Sequence, residues 1–369
     1  ALLNLFAAEL QRSLNGRPGG LESLSDEDIF RAVERLHLRA EGSYSVVALI
    51  TGWGIIAFRD PNGIRPLSMG SRVVNGFTER VFASESVVCN TLGFNHDGDV
   101  SPGEAIVARM DGTVSSKQCS RDVHHSPCIF EHVYFARPDS VLDGVSVHSS
   151  RIKMGAYLAE RISKELPDHG IESVIAVPDS GRIAALELAR VMGVPYREGF
   201  VKNRYIGRTF IMPGQNVRKD SVRKKLNTIE EEFSDKVVLI VDDSVVRGNT
   251  SRRIVAMARE AGAKKVYFAS CSPPIVHPNV YGIDMPAKSE YVAHGRTISE
   301  ISDAIGADWM IYQNLDDLVR ACKGDAEIGF SNFDCSCFDG VYVTGGISDE
   351  YLDKIEKIRS DNAKKTASI

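Results

Sequence analysis

One stretch, residues 237–250, constrains the fold of this chain more than any other. It opens with five apolar, mostly β-branched residues, the composition of a strand buried on both faces in a parallel sheet. Asp242 and Asp243 follow where that strand should leave the sheet, and after a short polar loop a helix is predicted over residues 251–261. The stretch therefore predicts a strand–loop–helix unit of an open α/β sheet.

The loop after this strand has the chemistry of a ligand site. In open α/β sheets, ligands bind beyond the carboxyl ends of the strands, and a helix N-terminus offers unpaired N–H groups to a phosphate. A lone Asp-Asp pair is equally compatible with an ordinary acidic turn. The whole string is more specific, because an apolar strand, Asp-Asp, small or β-branched residues, Gly248 and Thr250 resemble the phosphoribosylpyrophosphate (PRPP) signature of type I phosphoribosyltransferases.

Composition narrows the class of protein. The chain has 369 residues, 43% hydrophobic and 25% charged, which is enough for two soluble globular domains. Its net charge of −5 argues against general nucleic-acid binding, and no apolar run is long enough for a transmembrane helix. Seven scattered cysteines, an odd number, favour reduced thiols and a cytoplasmic location. The chain begins without Met inside an apolar helical pattern and shows no signal peptide, which predicts a fragment.

Residues 1–127 predict an α+β layer structure. Helix-spaced apolar residues cover 1–15, and a second helix is predicted over about 26–40 with Ser25 as its N-cap. Two apolar runs, residues 43–50 and 53–59, predict a β-hairpin. Further short strands are predicted near residues 67–69, 81–83, 105–109 and 113–118. Residues 59–63 (RDPNG) are interpreted as a tight turn with a buried ion pair.

From about residue 131, strands alternate with helices. Before the 237–241 strand, the pattern predicts a helix over 149–166, a strand over 173–177 and a helix over 183–192. After it come strands over 265–270 and 309–312 and helices over 298–305 and 315–322. This alternation predicts a doubly wound parallel sheet over residues 128–347, followed by an amphipathic helix and tail over 348–369.

A basic loop interrupts this alternation at residues 202–215. Gly207, Pro213 and Gly214 punctuate it, and further Lys and Arg residues follow. A long loop in a compact domain is usually a lid, a binding loop or disordered. A nucleic-acid patch is the alternative, but a lid over a polyphosphate fits the composition better.

Several strings together resemble the glutamine PRPP amidotransferase family, from about residue 1 to 362. Besides residues 241–250, they are 58–67 (FRDPNGIRPL), 83–86 (ASES), 133–140 (VYFARPDS), 200–211 (FVKNRYIGRTFI), 281–286 (YGIDMP) and 293–296 (AHGR). The resemblance implies formation of 5-phosphoribosylamine from PRPP and glutamine-derived ammonia, the first step of de novo purine synthesis. It also implies that residues 1–127 are the later part of a glutaminase domain, a partial Ntn-hydrolase αββα sandwich, and that 128–347 are a type I phosphoribosyltransferase domain.

The resemblance leaves the glutaminase nucleophile out of this chain. The family's nucleophile is a Cys at the mature N-terminus, whereas this chain starts at Ala1 and its first cysteine, Cys89, lies in a helix-like segment. We therefore expect an N-terminal truncation, and no residue is assigned to glutamine hydrolysis. Some family members carry an iron–sulfur cluster, which needs four Cys ligands. Cys128 stands at one ligand position, but Asn279 occupies another and residues 335–337 have C-x-C spacing, so no cluster is expected.

The resemblance also implies the site residues. Those expected around Mg²⁺ and the ribose are Asp242, Asp243 and Ser180. The set implied for PRPP binding is Asp179, Ser180, Gly181, Asp242, Asp243, Ser244, Val245, Val246, Arg247, Gly248, Asn249 and Thr250. Catalytic roles fall to Asp242 and Asp243, with Lys202, Arg204 and Arg208 as lid candidates. Ammonia would attack ribose C1 as pyrophosphate leaves, so no general base is needed.

The resemblance extends to partners, and other functions stay open. Purine nucleotides are expected as inhibitors and a dimer or tetramer as the assembly, with no nucleic-acid or membrane partner. A regulatory protein that binds PRPP or nucleotides is one alternative, but no DNA-reading segment is visible. A phosphoribosyltransferase for a free base would not carry residues 1–127. A poorly folded, inactive fragment is the third alternative.

Overall fold

The chain forms two connected layered parts in this computed structural model, which describes residues 1–14, 17, 19–203, 226–285, 287–323, 330 and 332–359. The helices are α1 (Leu2–Leu14), α2 (Asp26–His37), α3 (Val87–Leu92), α4 (Val147–Glu165), α5 (Arg182–Met192), α6 (Asn249–Glu260), α7 (Ile298–Ile305), α8 (Leu315–Lys323), α9 (Ser336–Asp339) and α10 (Asp349–Arg359). Short 3₁₀ helices span Gly20–Ser23, Glu230–Glu232 and Lys288–Glu290, and a π-helix spans Glu131–Phe135.

The strands belong to several sheets. They are β1 (Ser45–Ile50), β2 (Gly54–Arg59), β3 (Ser68–Val74), β4 (Phe77–Ala83), β5 (Asn95–Asp99), β6 (Glu104–Arg109), β7 (Val114–Gln118), β8 (Val141–Leu142), β9 (Val145–Ser146), β10 (Ser173–Ala176), β11 (Tyr196–Arg197), β12 (Phe200–Lys202), β13 (Leu226–Thr228), β14 (Val237–Asp242), β15 (Lys265–Ser270) and β16 (Trp309–Tyr312). Nearly all of the predicted lid and the end of the predicted tail lie outside the described residues.

The N-terminal part is a four-layer αββα arrangement, as the sequence predicts. α1 and α2 pack on the sheet β1-β2-β6-β7, and the sheet β4-β3-β5 packs on its other face. α3 covers the second sheet so closely that a Cβ added to Gly70 of β3 would lie 2.7 Å from Cys89 Sγ. Cys89 is therefore a core residue, as predicted.

Local signals explain the start of α2. Ser25 Oγ accepts a hydrogen bond from Asp28 N at 3.3 Å, and the Asp28 carboxylate accepts one from Ser25 N at 3.1 Å. This capping box satisfies N–H groups that a helix start leaves unpaired. The predicted N-cap is confirmed, and the helix buries Ile29, Val33 and Leu36 against the first sheet.

The C-terminal part is built on a five-stranded parallel sheet of order β11-β10-β14-β15-β16. α4, α5 and α8 contribute to the core on one face, and α6 and α7 to the core on the other. Such double winding follows from strands that are apolar on both faces, like Val238 to Val241, which are all fully buried. The predicted doubly wound sheet is confirmed, whereas the domain boundaries at 127 and 347 stay predictions.

A hairpin, β8–β9, ties the two parts together. Its turn residue Asp143 reaches Arg59 of β2, whose side chain is completely buried. The guanidinium donates to the two Asp143 carboxylate oxygens at 2.6 and 2.8 Å. The predicted turn at residues 59–63 is confirmed by the 2.9 Å bond from Gly63 N to Asp60 O, and the ion-pair partner of Arg59 comes from the other part of the chain.

The remaining sequence expectations concern cysteines and membranes. All seven cysteines are buried and free, in keeping with reduced thiols. Within the described ranges, every helix is too short or too polar to cross a bilayer.

Candidate active site

The candidate site lies where β10 and β14 end side by side. These two strands are parallel neighbours, and Val177 N donates to Val241 O at 2.8 Å just beyond β10. From β10 the chain moves outward to β11, and it later returns past β10 to form β14. The loops after β10 and β14 therefore diverge at a topological switch point, where open α/β sheets bind ligands.

An acidic pair closes β14. Asp242 and Asp243 are each only 7% exposed. Asp243 accepts hydrogen bonds from Ser180 Oγ across the cleft and from Ser244 Oγ at 2.6 Å, and Asp242 Oδ1 accepts from Asp243 N at 3.0 Å. The structure thus brings Ser180, Asp242 and Asp243 together.

The electrostatics of the pair favours a cation. Burial, followed by the neighbouring charge of Asp243, raises the pKa of Asp242 well above its ordinary value. Burial also raises the pKa of Asp243, although the hydroxyls of Ser180 and Ser244 partly oppose it. Two adjacent carboxylates out of water repel one another, so a bound cation would stabilise both. These residues fit a magnesium ion whose remaining ligands are oxygens of another molecule.

Two helix N-termini open on the same cleft. α6 follows Gly248, which has a φ of +72°, and α5 follows Gly181. In the part of the chain that is described, no side chain caps either helix. At the start of α5, Gly181 N donates to Val177 O at 3.3 Å and Arg182 N to Asp179 O at 3.4 Å, so these two amides are already engaged. The first amides of α6 are not held by a side-chain cap and can bind an anion such as a phosphate. Asn249 and Thr250, at the start of α6, are exposed to solvent as a ligand residue must be.

Gly181 is required by the close approach of the two loops. A Cβ at this position would lie 2.7 Å from Val241 O and 3.3 Å from Asp242 Cα. No larger residue fits without moving the backbone of β14. The glycine predicted for the ligand loop therefore also holds the two strand ends together.

Several contacts of the β14–α6 loop, residues 243–248, are made away from the acidic pair. The Val245 side chain is 1% exposed and belongs to the core under α6 and α7. Val246 O accepts from Val292 N at 2.9 Å, and Arg247 Nε donates to Glu290 Oε2 at 2.6 Å. Of the residues predicted to bind PRPP, Val245 can therefore contribute only its backbone.

The predicted lid is described only at its base. Lys202 ends β12, which pairs with β13, and Arg204 and Arg208 lie outside the described residues. Lys202 Nζ donates to Asp179 Oδ2 at 2.5 Å, so it reaches the loop between β10 and α5. The structure therefore places Lys202 beside the loop between β10 and α5, and its role in a lid stays a prediction.

Arg151 was not predicted as a site residue. It is 4% exposed on α4 and donates to His132 O at 2.9 Å and to Ala136 O at 2.8 Å. Among the causes that shift the pKa of Asp243, its charge is one that opposes the rise caused by burial. The sequence feature that could have pointed to Arg151 is its place on the apolar stripe of α4, between Val147 and Met154, where an arginine is unusual.

The structure shows the surroundings of the residues that stand at the family's iron–sulfur ligand positions. Cys128 pairs as a β-bridge with Asp334, which brings it near Cys335 and Cys337. Asn279 Oδ1, however, accepts from Tyr281 N at 2.8 Å and Ile283 N at 3.2 Å, so this side chain shapes a turn. No cluster of three or more Cys, His, Asp or Glu suited to a metal occurs in the described ranges. The residues do not fit a four-thiolate cluster, and its absence stays a prediction.

The fold and site together define a class of protein. A parallel sheet with an acidic pair at the switch point and two open helix N-termini is the arrangement of a phosphoribosyltransferase, and the model of the phosphoribosyl transferase domain matches residues 148–272. An amidophosphoribosyltransferase of Pseudomonas aeruginosa is 53% identical over 363 residues, covering 98% of this chain and 71% of the relative. The chain belongs to the amidophosphoribosyltransferase family.

Solved structures agree. The glutamine PRPP amidotransferase of B. subtilis in complex with ADP and GMP has a TM-score of 0.75 and 35% identity, covering 94% of this chain and 76% of that one. An allosteric regulatory enzyme of purine biosynthesis has a TM-score of 0.77 and 36% identity, covering 95% and 71%. The predicted family, fold class and enzyme class, a pentosyltransferase, are confirmed, and with them the main predicted function, an amidophosphoribosyltransferase.

Proposed function

We propose that this chain transfers the phosphoribosyl group of PRPP to ammonia, forming 5-phosphoribosylamine and pyrophosphate for purine synthesis. The observation that carries the proposal is the buried pair Asp242 and Asp243 between the open N-termini of α5 and α6. PRPP carries a phosphate at each end of a ribose, so it offers an anion to each helix and hydroxyls to the carboxylates.

Each part of the cleft has a role in this reaction. We assign the 5-phosphate to the amides of residues 244–250 with the Thr250 hydroxyl, and the pyrophosphate to residues 179–181. Asp242 and Asp243, with Ser180, would hold the ribose hydroxyls and Mg²⁺. Magnesium neutralises charge on the departing pyrophosphate when it is bound. Holding both ends of PRPP keeps ribose C1 in line with the incoming nitrogen.

Lys202 supports the role of the lid. Its ammonium group donates a hydrogen bond to Asp179 in the loop that we assign to the pyrophosphate, so its charge lies beside the leaving group in this proposal. We assign Arg204 and Arg208 to the same lid on the family resemblance alone. Excluding water from the cleft protects a transition state with oxocarbenium character from hydrolysis.

Ammonia is the nitrogen donor that we assign to this chain. Every one of its seven cysteines is buried, which does not suit a nucleophile that must meet free glutamine. Purine nucleotides are proposed as inhibitors, since the B. subtilis relative was solved with ADP and GMP. A homo-oligomer and a cytoplasmic location stay predictions.

Pyrophosphate release from PRPP and Mg²⁺ tests the proposal, with ammonia or glutamine as donor. We expect activity with ammonia, and a loss of about 100-fold or more in kcat/KM in the Asp242→Asn/Asp243→Asn chain. The exposed α7 residue Asp303 supplies the matched control, since Asp303→Asn removes a carboxylate remote from the cleft. A folded chain inactive with both donors, yet binding PRPP in calorimetry, would favour the regulatory alternative.

A further inference from the structure

A strip of chain behind the proposed 5-phosphate loop has no role in the reaction as described so far. This strip, residues 288–296, begins with the 3₁₀ helix Lys288–Glu290 and includes the Ala-His-Gly-Arg string noted in the sequence. Tyr291, Val292 and Ala293 in its middle are all less than 5% exposed. The contacts of these buried residues show which part of the site the strip packs against.

The middle of the strip packs against the turn where the β14–α6 loop becomes a helix. Val292 N donates to Val246 O at 2.9 Å. A Cβ added to Gly248 would lie 2.9 Å from Val292 Cγ2, so the valine occupies the space beside the glycine. Gly248 has a φ of +72° and caps α6, and the direction of the open N–H groups depends on this turn. Val292 therefore supports the turn from behind.

The start of the strip adds a charge contact to the same loop. Arg247 Nε donates to Glu290 Oε2 at 2.6 Å, with 27% and 24% of the two side chains exposed. A guanidinium binds phosphate as readily as carboxylate. An arginine inside a phosphate-binding loop can therefore be drawn to the ligand and distort the loop unless another anion engages it. Glu290 is such an anion.

We propose that Glu290 is a positioning residue for phosphoribosyl transfer. By engaging Arg247, it keeps residues 244–248 in the shape that directs backbone N–H groups at the 5-phosphate, while Val292 fixes the rear of the same loop. Glu290 has no role in the bond changes at ribose C1. The inference rests on the proposed function, because the loop must bind the 5-phosphate of PRPP for its shape to matter.

The variant Glu290→Gln tests this, because it keeps the size of the side chain and removes its charge. We expect KM for PRPP in the ammonia-dependent reaction to rise about five- to tenfold and kcat to stay within about twofold, since binding weakens and the chemical step does not. Titration calorimetry of PRPP with Mg²⁺ should show the same loss of affinity. A merely structural role would lower the active fraction, and hence kcat, without raising KM.

A double-mutant cycle makes the test specific and guards against misfolding. An Arg247→Met chain lacks the guanidinium that Glu290 engages, so adding Glu290→Gln should change KM by less than about twofold. The matched control is Glu260→Gln, which removes the partner of Arg253 on α6, 3.1 Å away, and should leave KM unchanged. Additive effects in the cycle, or an unchanged KM in Glu290→Gln, would overturn the inference.

Binding of PRPP distinguishes a failure of the positioning role from a failure of the proposed function. If the wild-type chain binds PRPP and the Glu290→Gln chain binds it equally well, only the positioning role is refuted. If the folded wild-type chain does not bind PRPP in calorimetry, the proposed function falls and the positioning role falls with it.

Discussion

Asp143→Asn should weaken the whole molecule, because it breaks a buried ion pair between its two parts. Arg59 is fully buried, and its five N–H groups donate to three backbone carbonyls and to both Asp143 oxygens. Asparagine has nearly the same shape as aspartate. The substitution therefore leaves Arg59 in place but removes the carboxylate that compensates its charge most, ahead of the nearby Asp60 and Asp99.

The size of the effect follows from burial. Removing one member of a buried ion pair typically costs about 3–5 kcal/mol, because the remaining charge stays out of water without compensation. With an m-value of about 2–3 kcal/mol/M in urea, the unfolding midpoint should fall by about 1–2.5 M. Asp139→Asn is the matched control, because the Arg137–Asp139 pair lies close along the chain with 64% and 51% of its side chains exposed. Such exposed pairs contribute about 0–1 kcal/mol.

The pH dependence provides a second check on the same variant. Burial alone would raise the pKa of Asp143, but the hydrogen bonds from Arg59, together with His125 Nε2 at 3.4 Å from Asp143 Oδ2, outweigh it and hold the pKa well below its ordinary range. A lowered pKa means that the ionised form stabilises the fold. Its contribution is complete above the unfolded pKa of about 4 and is lost as the pH falls towards the folded value.

The assay is urea unfolding of both variants, followed by fluorescence and circular dichroism from pH 3 to pH 8. The loss of stability in Asp143→Asn should be present throughout pH 5 to pH 8 and shrink below about pH 4, where Asp143 begins to be protonated in the unfolded chain. If Asp143→Asn unfolds within about 0.5 kcal/mol of the control at pH 7, the ion pair does not join the two parts as argued.

Two further predictions concern other carboxylates. Asp334 is 2% exposed, and burial raises its pKa to about 6. The folded state favours the neutral carboxyl group, so the fold loses stability as the pH rises through about 6 and this group ionises. In urea titrations, Asp334→Asn should therefore increase the free energy of unfolding by up to about 2–3 kcal/mol at pH 8 and by almost nothing at pH 4. Equal gains at both pH values would contradict this cause. Asp179→Asn should lower KM for PRPP about threefold in the pyrophosphate assay, since the Asp179 carboxylate now holds Lys202 and repels a pyrophosphate. A higher KM would instead mean that this carboxylate helps to bind the ligand.

The sequence predicts elements well where neighbouring residues determine them. The strands β15 and β16 and the helix α7 have the predicted bounds, since a parallel strand is a continuous apolar run and Thr297 caps α7 with Glu300. The acidic pair was found for the same reason, because it directly follows such a strand. Ser180 joined it only through the family resemblance, and the structure adds its hydrogen bond to Asp243.

Elements that depend on distant partners were missed. β5 (Asn95–Asp99) has no apolar side chain, and it is a strand because it pairs with β3 and because Ser68 Oγ donates to Asp99 Oδ1 at 2.5 Å. Asp143 as the partner of Arg59 is 84 residues away along the chain. No local pattern contains such information, since the contact depends on how a hairpin from one part enters the other.

The hydrogen bonds of the acidic pair explain how carboxylates and phosphate-binding amides can share one edge of the sheet. An aspartate beside a helix start usually caps that helix and would compete with a phosphate for its N–H groups. Here Asp243 accepts from two serine hydroxyls and Asp242 from the Asp243 amide, and neither caps α5 or α6. The carboxylates thus remain available to a cation and the amides to an anion. A ligand that binds to the amides and, through a cation, to the carboxylates must carry phosphates and metal-binding hydroxyls in one molecule. A magnesium-bound phosphoribosyl pyrophosphate has this composition.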